Sequence, residues 1–337
     1  MEPPSLADVR AAARAIAPYL SLPTPLVYSP ALSELLEAEV SLKLELATPT
    51  SAFKVRGGIH LVGGLSEQHR RDGVVTASTG NHAQSIAYGA RLHGVHAVVF
   101  MPEGANVDKV AATRRLGAEV RLTGQRYDDA RRAAEAFAAE RGLRFIHSGD
   151  EPALIAGVAT AALEVLERQQ PGTDVVIVPV GGGSGVAGWL TVRDGLAHAA
   201  LIWAAQSERS PAAHDAWRTG VLVERANETR AEGLATGVAF DLPQRVMRRS
   251  LDDFVLVPDA ALDEAMSALL EQQHVLVEPA GAAALAAALA RRDPLRGRRV
   301  VLVLSGANVT VDQLQGVLAR RGAPADAGPS HKRPSTG

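Results

Sequence analysis

Short runs of β-branched and other apolar residues recur along the chain, each followed by a stretch whose apolar positions return at helical spacing. Val74–Ala77 precedes a helical pattern around His82–His93, Val95–Met101 one around Asn106–Leu116, and Ala118–Thr123 the charged stretch Tyr127–Arg141. Further on, Asp174–Val180 precedes a helix after Gly185, Leu201–Ala205 one near 211–219, and Val300–Leu304 one near 310–320. Strands that are apolar along their whole length, alternating with helices, indicate parallel sheets covered on both faces. The expected fold class is α/β, two-domain, with parallel open sheets and helices on both faces. Three strand–helix units within 73–149 form a small domain, while 1–72 and 150–321 form a larger one that the chain leaves and re-enters. The tail 322–337, rich in Pro, Ala, Ser and Gly without an apolar face, is expected to be disordered.

Composition narrows the function. A chain of 337 residues with 47% hydrophobic content is long enough for two domains sharing one cleft. A net charge of −2, with both signs interspersed, gives no electrostatic footprint for nucleic acid or anionic lipid. The absence of cysteine removes disulfides, thiolate metal sites and cysteine nucleophiles. The start Met-Glu-Pro-Pro has no basic stretch leading into an apolar run, and the Ala-rich segment 280–290 is too short to span a bilayer. A cytoplasmic enzyme is the expectation.

Polar and glycine-rich segments fall at the carboxyl ends of the expected strands or beside them, where open α/β sheets place ligands. Lys54, in Thr48-Pro-Thr-Ser-Ala-Phe-Lys-Val-Arg-Gly-Gly, reads either as a solvated lysine at a helix start or as an amine with depressed pKa that forms a Schiff base. In the second reading Phe53 supplies an apolar wall and Arg56 a neighbouring positive charge. Ser78-Thr79-Gly80-Asn81-His82, between strand and helix, is either an ordinary N-cap or an anion site suited to a carboxylate. Gly181, Gly182, Gly183, Ser184 and Gly185 place four glycines in five positions ahead of a helix, more than a tight turn needs, and favour a phosphate. The same stretch contains a G-x-G-x-x-G pattern, which keeps a dinucleotide oxidoreductase open. The acidic ribose partner is at best displaced, because the next strand ends near Gln206 with Glu208 two residues beyond. Ser305 and Glu278 are ambiguous between turn or cap residues and site residues.

Taken in order, these segments resemble the fold-type-II pyridoxal-phosphate enzymes (the tryptophan synthase β-subunit-like fold), in the threonine/serine dehydratase and serine racemase branch. The resemblance runs from Thr24-Pro-Leu to about residue 320. It includes Lys43-Leu44-Glu45, Phe53-Lys54-Val55-Arg56-Gly57, Ser78-Thr79-Gly80-Asn81-His82-Ala83-Gln84, the glycine loop, Glu232-Gly-Leu-Ala, Glu278-Pro-Ala-Gly and Ser305-Gly-Ala-Asn. It implies pyridoxal 5'-phosphate as cofactor, held as a Schiff base by Lys54, which then acts as base toward the α-proton. Phe53 and Asn81 flank the ring, with Asn81 donating to the ring oxygen. Gly181–Gly185 cradle the phosphate, Ser305 meets the pyridine nitrogen, and Ser78, Thr79, Asn81 and His82 hold the substrate carboxylate. The implied reaction is dehydration and deamination of a small hydroxy-amino acid such as L-threonine or L-serine, with a homodimer as the assembly.

Some positions depart from the family pattern. Thr48 stands where Gln is common and Ser51 where Gly is usual, which leaves modified substrates such as phenylserine or hydroxyaspartate open. Thr79 stands where dehydratases often carry Ala and racemases a Ser, so racemisation is the alternative activity. Gln206 and Ala212 occupy the places of the carboxylates that bind a divalent cation in some members, and no tight metal site is expected. Without the regulatory extension of biosynthetic threonine dehydratases, feedback by a branched amino acid is not expected.

Overall fold

The computed structural model describes residues 1–320, so the expected tail 322–337 and residue 321 lie outside the described residues. The first part of the chain runs through α1 (Leu6–Ile16), β1 (Leu26–Tyr28), α2 (Pro30–Leu36), β2 (Glu39–Leu44), α3 (Lys54–Gly63) and α4 (Glu67–Asp72). Then come β3 (Val74–Ala77), α5 (Asn81–His93), β4 (Ala97–Met101), α6 (Val107–Arg115), β5 (Glu119–Leu122), α7 (Tyr127–Arg141) and β6 (Arg144–Phe145). The chain continues through α8 (Pro152–Leu163), β7 (Val175–Pro179), α9 (Ser184–Gly195), β8 (Leu201–Ser207), α10 (Ala212–Thr219), α11 (Asp241–Ser250) and β9 (Asp253–Val257). It closes with α12 (Asp259–Gln273), α13 (Ala283–Ala290), β10 (Arg299–Leu304) and α14 (Val311–Arg320).

The apolar runs do become strands covered on both sides. Every residue of β3, β4 and β7 is buried. They fall in two sheets, one of six strands in the order β1-β2-β10-β7-β8-β9 and one of four in the order β5-β4-β3-β6. All pairings are parallel except that of β1 with β2, which is antiparallel. The expectation of purely parallel sheets is corrected at that edge. β1 has only three residues, two of them exposed, too little for a periodicity to register. The division at 72/73 and 149/150 is our proposal for the domains. Helix α3 qualifies it, because Leu61 and Val62 pack in one core with Val74 and Val99 of the four-stranded sheet and with Leu154 and Val158 of α8.

Helix α3 is held from two directions. Glycines let it approach its neighbours backbone to backbone: a Cβ on Gly58 would come within 2.2 Å of the Ser85 carbonyl on α5, and one on Gly57 within 2.7 Å of the Leu154 carbonyl on α8. Two residues on from Lys54, the Arg56 side chain is fully buried between two carboxylates, with Nε 2.7 Å from Glu45 Oε2 and Nη1 2.8 Å from Glu164 Oε1. Lys43, also fully buried, donates to Glu164 Oε2 (2.6 Å), Gln169 Oε1 (2.7 Å) and the Thr24 carbonyl (2.9 Å). Glu164 and Gln169 reach one ammonium because residues 164–169 form a π-helical turn, whose i to i+5 spacing brings them toward the same side. Two cations and two anions compensate one another, as buried charge requires. Burial alone would raise the Glu164 carboxyl, but Arg56 and Lys43 outweigh it and hold the group below the usual carboxylate range.

Removing one member leaves uncompensated buried charge. Arg56→Met is expected to cost about 3–5 kcal/mol at neutral pH, read as a lowered midpoint in urea unfolding; a loss within ~0.5 kcal/mol, as at an ordinary surface position, would refute the role given to this cluster.

Candidate active site

Lys54 is the first residue of α3, and its ammonium points into the cleft between the two sheets. It donates to Ser184 Oγ at 2.7 Å and to the Ser148 carbonyl at 3.2 Å, and it lies 5.4 Å from the centre of the Phe53 ring. Both acceptors are uncharged. Burial without a counter-charge favours the neutral amine and brings its pKa down to about 8. Arg56 is not the neighbouring charge that the sequence reading expected. Its guanidinium is turned into the core and neutralised by Glu45 and Glu164, so burial rather than a neighbouring guanidinium depresses Lys54.

Three helices begin here without a side-chain cap. They are α3 after Phe53, α5 after Gly80 and α9 after Gly183. The N-cap reading of Ser78, Thr79 and Asn81 is therefore not what forms. Gly80 takes the cap position, and Ser78 Oγ instead accepts from the Gly80 amide at 3.2 Å. Thr79 sits half-buried between them. Uncapped first turns leave N–H donors and the positive end of the helix dipole for an anion. The starts are tied together: Ser85 Oγ on α5 donates to the Lys54 carbonyl (2.6 Å), and the Lys54 amine reaches Ser184 at the start of α9.

The glycines 181–183 lie between β7 and α9 and leave no room for side chains of their own. A Cβ on Gly181 would come within 2.4 Å of the Gly233 carbonyl, and one on Gly182 within 2.1 Å of the Phe240 ring. Gly183 has φ +90°, a backbone conformation that L side chains rarely adopt. This cradle, opening onto the uncapped α9, has the donor chemistry of a phosphate site, and the neutralisable amine of Lys54 lies beside it. These residues fit pyridoxal phosphate. Ser305, buried after β10, accepts through its carbonyl from the Phe53 amide (3.0 Å), which places the end of β10 beside the lysine. Asn81 hydrogen-bonds to Glu278 and Asn308 on the same side.

His82 behaves differently from the rest of its segment. Its ring is buried and its Nε2 lies 2.9 Å from Thr76 Oγ1, which itself donates to the Ile146 carbonyl at 2.8 Å. The imidazole is thus tied to β3, and burial, with Lys54 and His147 nearby, holds it well below the ordinary histidine range. What His82 offers an anion in the cleft is its backbone position in the first turn of α5. The sequence reading missed Ser148 and its neighbours altogether. His147 Nδ1 accepts from the Gly149 and Asp150 amides (3.2 and 2.9 Å), its ring meets Phe240 edge-on at 4.7 Å, and Asp150 Oδ1 accepts from the Leu242 amide. His-Ser-Gly-Asp after a strand was a legible turn; Phe240 carried no signal, because its role is contact with distant glycines.

Gln206, near the end of β8, is buried and its Oε1 accepts from the His214 amide, while Ala212 opens α10. A family model described as "Pyridoxal-phosphate dependent enzyme" matches residues 19–306. Among curated proteins, the L-threonine ammonia-lyase of Thermotoga maritima is 36% identical over 297 residues, covering 88% of this chain and 73% of that protein. The L-threonine dehydratase catabolic TdcB of Staphylococcus aureus is 34% identical over 319 residues, covering 93% and 92%. Among solved structures, the T.th. threonine deaminase superposes with a TM-score of 0.85 at 36% identity, covering 91% of this chain and 99% of that one. Serine racemase from Dictyostelium discoideum gives the same TM-score at 28% identity, with the same coverage of both chains. With the lysine, the glycine cradle and matches over most of its length, the chain belongs to the pyridoxal-phosphate dependent enzymes, in the fold-type-II branch of threonine dehydratases and serine racemases.

Proposed function

We propose that this enzyme removes water and ammonia from a small hydroxy-amino acid, L-threonine or L-serine, releasing a 2-keto acid. The observation that carries the reading is the Lys54 amine, buried between Ser184 and the Ser148 carbonyl without a counter-ion, at the mouth of a glycine cradle. The threonine-specific names of relatives at 34–39% identity support the substrate class. Lys54 would hold the cofactor through its amine, Gly181–Gly185 its phosphate, Phe53 and Asn81 the faces and edge of its ring, and Ser305 its pyridine nitrogen. When bound, pyridoxal phosphate supplies an electron sink that acidifies the α-hydrogen of an amino acid joined to it.

The remaining work falls to the chain. The turn Ser78–Asn81 and the first amides of α5, His82 among them, orient the substrate carboxylate. Once the substrate amine has displaced it, Lys54 is free to take the α-proton as a neutral amine, and its ammonium would then be held by Ser184 Oγ and the Ser148 carbonyl. A hydroxyl partner at Ser305 does not enforce a protonated pyridine, which favours prompt loss of a β-hydroxyl over transamination. A racemase reading is kept by one observation: the Thr79 hydroxyl is not committed to capping α5. Incubation of L-serine, with D-serine and pyruvate assayed together, separates the two activities. On family resemblance the assembly is proposed to be a homodimer in the cytoplasm; among the described residues no helix is long and apolar enough to cross a membrane.

Lys54→Ala is expected to abolish both the visible absorption of the cofactor-loaded protein and 2-keto acid release from L-threonine. Retained turnover would sink the proposal. Attachment of the cofactor requires the neutral amine, the form that gains as pH rises. With a pKa of about 8, its rate on apo-protein should climb roughly tenfold per pH unit below 8 and level off above it. A rate still climbing tenfold per unit above pH 9 would show an ordinary lysine.

A further inference from the structure

Glu278 and Asn308 have no part in the mechanism above, yet both reach Asn81. Asn308 Nδ2 donates to the Thr50 carbonyl (2.8 Å) and to Asn81 Oδ1 (2.7 Å). A backbone carbonyl can only accept, so Thr50 decides which way the Asn308 amide faces. Asn81 must then turn its oxygen to Asn308 and its nitrogen away. One hydrogen of Asn81 Nδ2 goes to Glu278 Oε1 at 2.6 Å, which leaves the second for an acceptor in the cleft. Glu278 is fixed in turn. Its amide donates to the Gly306 carbonyl (3.1 Å), and its Oε1 packs over Gly306, where a Cβ would come within 2.5 Å.

We propose that Glu278 and Asn308 are positioning residues that lock Asn81 as a hydrogen-bond donor toward an anionic oxygen of the cofactor, its ring oxygen. The inference rests on the cofactor reading above and deepens it. The chain Thr50–Asn308–Asn81–Glu278 has a single polarity, set by a backbone group that no side-chain rotation can reverse. Burial keeps the Glu278 carboxyl above the ordinary range; the charged groups facing it are Lys109 on α6, which opposes that shift, and Glu232, which adds to it. A glutamine at 278 can keep an oxygen toward Asn81, whereas alanine at 278 or 308 removes one of the two anchors on the Asn81 amide, which then loses its fixed aim at the ring oxygen. An anionic ring oxygen that loses its donor is less stable, so its protonated form persists to higher pH.

The test reconstitutes wild type, Asn308→Ala, Glu278→Ala and Glu278→Gln with pyridoxal phosphate and titrates the visible absorption with pH. Both alanine variants are expected to bind the cofactor with the midpoint raised by about one unit, the worth of one hydrogen bond. Glu278→Gln is expected to stay at the wild-type midpoint. Alanine variants with an unmoved midpoint, or Glu278→Gln shifted as far as Glu278→Ala, overturn the inference. Should Glu278→Ala not fold, the half-buried Asn308 carries the same test. A wild-type protein without a visible band would overturn the cofactor reading and this inference together, whereas a wild-type band with unmoved variants overturns the inference alone.

Discussion

An ammonium at the first position of a helix, in a buried cleft and facing only neutral acceptors, is the constraint on which this molecule turns. Lys54 sits at the positive end of the α3 dipole, the wrong end for a cation, and its hydroxyl and carbonyl partners carry no compensating charge. Both conditions favour the neutral amine that covalent chemistry needs. A flexible chain would relieve the strain by letting the lysine swing to water. Here α3 cannot move easily, because glycines bring its backbone against α5 and α8 and because Arg56 pins it to Glu45 and Glu164.

The buried ion cluster and the lysine proposed to carry the cofactor therefore form one arrangement viewed from two sides of a helix. Lys54 and Arg56 are two residues apart and face opposite ways, as the helical repeat requires. One cation is left without a counter-ion and becomes chemically useful; the other is fully compensated and becomes structural. The π-helical turn at Glu164–Gln169 serves the second by gathering two acceptors on Lys43. The same division holds at the helix starts proposed to bind anions. Gly80 and Gly183 take the cap positions without supplying a cap, so the donors of α5 and α9 stay open to the cleft.

Much of this was legible in the chain. Strands buried on both faces are β-branched or apolar along nearly their whole length, which is why β3, β4, β7 and β10 and their following helices could be located from pattern. β2 was harder, since Ser41 and Lys43 interrupt its apolar run, and the lysine is tolerated only because Glu164 arrives from 121 residues away. β9, a plain apolar run, was simply overlooked. The glycine loop was legible because four glycines in five positions exceed what a turn requires.

Residue types and their order indicated the fold class and the glycine cradle, because period and turn propensity are local, whereas the cofactor family and the part proposed for Lys54 came from the order of several motifs and their resemblance to a family, not from the surroundings of the lysine. Only the tertiary structure decided which way each side chain faces. It turned Arg56 into the core and tied the His82 ring to β3. It set Phe240 against Gly182, and it oriented Asn81 through Asn308 and Glu278. The physical reason is that burial and hydrogen-bond polarity belong to pairs of residues, and most of these partners are separated by tens to hundreds of positions along the chain.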